Sequence, residues 1–174
     1  MSGLYALPLS GLKEGLHTFD FEIGKEFFEE FEESEINEGS LQAIVIMEKR
    51  STHLDLQIKI SGAVMISCDR CLEMFSRPVK CENRLLVKLG KIIPEDDPDI
   101  VSLSSDEHEL DLMQHLYEYI HLALPIKRVH PDDKDGKSTC NPFMLKKLKE
   151  LFVVKENEKH NDPRWDDLKK LMNN

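Results

Sequence analysis

The chain has 174 residues, of which 40% are apolar and 32% charged, with a formal net charge of −10. That length fits one domain, or one domain with a tail, and the apolar share is enough for a real core. No apolar run approaches the roughly 18 residues of a membrane-spanning helix, and the start Met1-Ser2-Gly3-Leu4-Tyr5-Ala6 lacks the basic and apolar blocks of a signal peptide.

Residues 4–9 read as a short first strand, which Pro8 places at an edge or a start. Gly11 and Gly15 bracket a turn. Phe19, Phe21 and Ile23 alternate with polar residues and predict a half-buried strand. Phe27, Phe28 and Phe31 then fall at helical spacing, so residues 25–33 are expected to form a short amphipathic helix with an aromatic core stripe.

Residues 41–49 form a mostly apolar strand that turns at residues 49–52. The clearest periodicity follows. Leu54, Leu56, Ile58, Ile60, Val64 and Ile66 hold the even positions, against Asp55, Gln57, Lys59 and Ser61 on the odd ones. A two-residue repeat of this length is a strand with one buried face. Gly62 interrupts the side-chain row and predicts a bulge or a bend. Cys68 continues the even phase and so reaches the edge of the core.

Cys68-Asp69-Arg70-Cys71 puts two thiols three positions apart at the end of that strand. Such a pair suits a tetrahedral zinc site, which needs two further ligands from elsewhere in the chain. It also suits plain structural cysteines, or a redox pair, which wants a long helix after the second thiol. Pro78 leaves little room for that helix. Four cysteines (Cys68, Cys71, Cys81, Cys140) and no export signal predict a reducing, cytoplasmic setting.

Val79, Cys81, Leu85, Val87 and Leu89 share one phase and predict another strand, with Cys81 as a small buried hydrophobe. Residues 90–105, acidic and containing Pro94 and Pro98, read as a loop. Leu112, Leu116, Ile120 and Leu124 form the stripe of a helix over residues 110–124, with Asp106 as its cap and Pro125 as its stop. His108, His115 and His121 read as ordinary residues of this region. His130-Pro131-Asp132-Asp133-Lys134-Asp135-Gly136 is a turn-rich loop without the ligand pattern of a calcium loop. A helix over residues 142–152 follows. A polar linker over residues 156–161 then leads to a last helix over 163–172, capped by Asp162 with Pro163 at its first position. Cys140 with His130 has no orienting group or oxyanion motif to make it a nucleophilic site. The expected architecture is α+β: a strongly bent, barrel-like antiparallel sheet carrying the Cys-x-x-Cys turn, followed by C-terminal helices. Residues 1–155 would form the domain, and 156–174 a linker and short helix.

Charge is unevenly spread. Residues 26–38 hold seven acidic residues and no Lys or Arg, and residues 95–111 hold eight. Residues 68–91 are net +3 and residues 126–149 net +4, so both regions that carry the Cys-x-x-Cys pair and Cys140 are basic. Charge runs are commonly solvated faces; the alternative is a bipolar molecule with a phosphate-attracting side.

Gly62, then Cys68-Asp69-Arg70-Cys71-Leu72-Glu73, Pro78, Glu109-Leu110-Asp111-Leu112, Leu122-Ala123-Leu124-Pro125 and Asp162-Pro163-Arg164-Trp165 occur in this order. Together they resemble the YceD family of bacterial and plastid proteins implicated in accumulation of 23S ribosomal RNA. Many members carry a cysteine cluster after the Leu-Ala-Leu-Pro helix; this chain has only His130 and Cys140 there. These two could complete a zinc site with Cys68 and Cys71, or be what remains after metal binding was lost. The resemblance implies a non-enzymatic factor for the large ribosomal subunit, whose partner is rRNA or a pre-ribosomal particle. Arg70, Arg77, Lys80, Arg84, Lys88, Lys127 and Arg128 are the candidate RNA contacts, by shape and phosphate recognition. The alternative is an acidic adaptor that holds a basic partner such as a ribosomal protein.

Overall fold

The computed structural model describes residues 3–32, 34–90, 99–104 and 106–152. In chain order its elements are β1 (Ala6–Pro8), β2 (Gly15–Ile23), α1 (Lys25–Glu29), β3 (Glu38–Lys49), β4 (His53–Ser67), β5 (Met74–Gly90), β6 (Ile100–Ser104), β7 (Glu109–Asp111), α2 (Met113–Leu122) and α3 (Pro142–Leu151). The chain divides into two compact units, Met1–Cys140 and Asn141–Asn174.

The first unit is built on a sheet of spatial order β2-β3-β4-β5-β6. Strand alternation decides which face is buried. Leu41, Ala43, Val45 and Met47 of β3, the even residues of β4 other than Gly62, and Val79, Leu85 and Val87 of β5 all lie in the core. The register puts them side by side, as in Met47↔Leu56↔Leu85 and Ala43↔Ile60↔Cys81. Each Val, Leu, Ile or Met side chain taken fully from water contributes about 1.5–3 kcal/mol. Phe27 and Phe28 of α1 and Leu116, Tyr119 and Ile120 of α2 are buried as well.

The fold is α+β, as expected, with two corrections to the sheet. β6 runs parallel to β5, from Leu86↔Ile100 to Gly90↔Ser104, where the acidic composition predicted only loop. The strand order is also open, with β2 and β6 on opposite edges, so the sheet does not close into a barrel. At Gly62 the register is unbroken, Leu41↔Gly62↔Val79, so there is no bulge. The glycine answers a close approach instead. At φ +150°, a Cβ there would lie 2.3 Å from the Ser40 carbonyl oxygen and 2.6 Å from the Leu41 Cα.

The helix ends differ from expectation for identifiable reasons. Residues 109–111 extend to pair with β1, bringing Leu110 against buried Leu7, so α2 starts only at Met113. Its first turn is satisfied by Asp111, whose Oδ1 accepts the Met113 N–H at 2.8 Å, and not by Asp106. α1 ends at Glu29 rather than residue 33. In the second unit α3 begins with Pro142, and the Asn141 side chain accepts from the Phe143 and Met144 amides. The expected linker over residues 156–161 and helix over 163–172 lie outside the described residues. Among those described, no helix is long and apolar enough to cross a membrane.

Candidate metal centre

β4 and β5 form one long antiparallel hairpin, and the Cys-x-x-Cys sequence is its loop. The last ladder pair is Ser67↔Met74. Beyond it the Cys68 N–H donates to the Glu73 carbonyl at 3.0 Å and the Leu72 N–H to the Cys68 carbonyl at 2.9 Å. Leu72 completes the reversal at φ 61°, a left-handed conformation uncommon for a leucine. The even phase of β4 carries Cys68 into the interior, where it is fully buried; Cys71 and Cys140 are buried too.

The other two candidate ligands come from a second, smaller hairpin. Asp132 and Ser138 form an antiparallel bridge, and the Asp133 N–H donates to the Lys137 carbonyl at 2.8 Å. Asp133 Oδ1 accepts the amides of Asp135 and Lys137 at 2.9 and 2.7 Å, which folds the tip into an Asx-type turn. The Thr139 hydroxyl donates to the Pro131 carbonyl at 2.6 Å. The Asp133 side chain is therefore spent on turn geometry. What the hairpin achieves is to bring His130, just before it, to Cys140, just after it.

Four donor atoms converge. The ligand atoms of Cys68, Cys71, His130 and Cys140 all lie within 4.8 Å of one another. Cys68 Sγ to Cys140 Sγ is 3.6 Å, Cys71 Sγ to His130 Nδ1 is 3.4 Å, and Cys140 Sγ to His130 Nδ1 is 3.7 Å. Tetrahedral zinc, with Zn–S near 2.3 Å and Zn–N near 2.0–2.1 Å, requires edges of roughly 3.8 Å between sulfurs and roughly 3.6 Å between sulfur and nitrogen. These three edges lie within a few tenths of an ångström of those values, with Nδ1 as the imidazole ligand. Phe75 packs on the same ring at 4.6 Å between centroids.

Burial pushes the Cys68 thiol up. Hydrogen bonds from the backbone amides of Cys71, Arg70 and His130, with a further one from the His130 ring, outweigh that and bring it to about 5. The hairpin loop thus stabilises the thiolate, the form that ligates a metal. Cys81 stands apart on β5. Burial pushes its thiol up, and its Sγ donates to the Tyr119 carbonyl at 3.8 Å, so it behaves as the expected small hydrophobe.

The candidate RNA contacts fall into separate groups. Lys80, Arg84 and Lys88 share the outer face of β5, but Arg84 is engaged by Asp55 of β4, its Nε and Nη2 each donating to one carboxylate oxygen. That contact holds the Asp55 carboxyl below its usual range. On the same face Glu82 meets Lys59 at 3.8 Å. Arg77, opposite Val64, is on the core-facing phase and half-buried. Lys127 is exposed. Arg128 pairs with Glu35, and Arg70 reaches Ser138 at 3.1 Å and Asp132 at 4.0 Å. Sequence reasoning missed Asp69, whose carboxylate Oδ2 accepts the Arg128 N–H at 2.6 Å while its own N–H donates to the Arg128 carbonyl at 2.7 Å. Only its position between the two thiols hinted at it. His108, His115 and His121 are not part of the ligand group.

The family model described as "Large ribosomal RNA subunit accumulation protein YceD" matches residues 56–172. The match starts inside β4 and takes in the whole ligand set. No curated protein and no solved structure matches the chain.

Proposed function

The chain belongs to the YceD family, and on that premise we propose that it is a non-enzymatic factor in large ribosomal subunit biogenesis that supports rRNA accumulation by binding rRNA or a pre-ribosomal particle. The family match carries the reading. The Cys68, Cys71, His130, Cys140 set is assigned to zinc in a structural role. Four protein ligands of this kind close the coordination sphere and leave no position for a substrate, which supports a scaffold over a hydrolase. When bound, the metal would hold the two hairpin ends together. The setting proposed is the cytoplasm, where thiols stay reduced.

The RNA surface proposed here is narrower than the list of basic residues. Arg70, Arg84 and Arg128 have acidic partners within the protein. Lys80 and Lys127 are exposed and have no ion pair among the described residues, which makes them the cleaner phosphate contacts. The test is gradient sedimentation of a lysate, probing fractions for the protein and for large-subunit precursor RNA. Co-migration lost on RNase treatment supports the reading; a protein that stays at the top of the gradient sinks it.

One observation favours the adaptor as second reading. A groove of about 920 Å³ has Tyr5, Ile23 and Phe27 among its apolar lining residues, and Glu22, Glu26 and Glu30 among its acidic ones. Co-migration with a basic ribosomal protein that survives RNase would select it.

A further inference from the structure

The two residues between the knuckle thiols both reach the segments that deliver the other two ligands. Asp69 exchanges two hydrogen bonds with the backbone of Arg128, two residues before His130. Arg70 extends to Asp132, two residues after His130, and to Ser138, two residues before Cys140. Ser138 also accepts the Cys140 N–H at 3.3 Å. Arg128 is itself anchored on its far side by Glu35. Ties therefore bracket His130 on both sides and reach Cys140 from its preceding side, and none of them uses a ligating atom.

We propose that Asp69 and Arg70 are positioning residues that assemble the Cys68, Cys71, His130, Cys140 set before metal arrives. The inference rests on the metal-centre reading and deepens it. The Asp69–Arg128 pair mimics one rung of a β-ladder, and so fixes the distance between the knuckle and the chain entering His130. The Arg70 guanidinium lies across the base of the small hairpin. Its side chain is 35% exposed and its Nε is buried without an acceptor, which is the placement of a structural brace and not of a phosphate reader. Groups behind metal ligands set affinity by reducing the reorganisation needed on binding, and their loss weakens binding about 10–100-fold.

Three measurements on the full chain test this: zinc affinity by chelator competition, the absorption of the cobalt-substituted protein, and hydrogen exchange of the metal-free protein. Asp69→Ala and Arg70→Ala are expected to weaken zinc about 10–100-fold. Asp69→Asn, which keeps an acceptor oxygen, should restore affinity to within a few-fold of the parent. At saturation the cobalt spectrum should keep its shape in every variant, because the four ligands are unchanged. In metal-free parent protein the amides of Asp69 and Arg128 should be protected, and in Asp69→Ala the Arg128 amide should exchange freely. Parental affinity in both alanine variants, or an altered cobalt spectrum, overturns the positioning role. A parent chain that binds no zinc overturns the metal reading instead. The exchange arm then decides the positioning role alone, and fast exchange at Asp69 and Arg128 in the parent refutes it.

Discussion

The middle of the β4–β5 ladder and its looped end are parts of one hairpin, held in opposite ways. In the middle, order comes from repetition: many apolar side chains on one phase, each replaceable at moderate cost. At the end, a handful of atoms decide everything: four ligand atoms and two ties to other segments. The difference teaches where this protein tolerates change. A sheet spreads its stabilisation over many contacts, whereas a ligand cluster concentrates it.

The sharpest way to break the contrast is at the ligands. Cys68→Ser together with Cys71→Ser removes half the donor set, and is expected to abolish tight zinc binding in a chelator competition while far-UV circular dichroism keeps its strand signal. A variant that still holds zinc tightly would mean that the thiols are not the ligands. Next in size is the core. Ile58 is fully buried between Val45 and Asn83. Ile58→Ala should lower stability by about 2–5 kcal/mol in a denaturant titration with zinc affinity unchanged; a parallel loss of zinc affinity would show that the two regions are not independent.

Gly62→Ala comes third. The added Cβ meets backbone atoms that cannot swing away, at a φ of +150° that L-residues avoid. A loss of about 1–3 kcal/mol is expected from strain at this position, read as a lower melting midpoint. A neutral result would mean that β3 shifts to make room. The smallest effect belongs to Arg84→Ala. Its pairing with Asp55 lowers the carboxyl pKa, so any stabilisation is present above the unfolded carboxylate pKa and is lost as pH falls through the lower folded value. Exposed pairs contribute little, so the midpoint at neutral pH should move within the scatter of replicate melts, and a larger drop would promote this pair to a structural role.

What was legible in the sequence follows the same contrast. The even-phase row of β4, the phase of β5 and the arrival of Cys68 at the core all follow from alternation, because alternation is a local property. The ligand set was assembled from residue type and family pattern, and the geometry brings those four residues together. β6 was not legible: five residues after an acidic stretch carry no periodicity of their own, and their strand character comes from lying beside β5. β7 was hidden for the same reason, since its pairing with β1 spans about a hundred residues of sequence. Arg70 and Arg128 looked like free cations because nothing local announces partners 68 and 93 residues away.

The two hairpins also bear on the order in which the centre can form. Cys68 and Cys71 are delivered together by one loop, and His130 and Cys140, ten positions apart, by another. Each pair needs only a short closure, and closure cost rises slowly with the logarithm of loop length. Only the meeting of the two pairs spans a long stretch, 72 residues between Cys68 and Cys140. The long-range step is thus the meeting of two locally closed pairs. During synthesis the first half emerges and can fold well before the second exists. For that interval the growing chain displays Cys68 and Cys71 without the two residues that complete the proposed set.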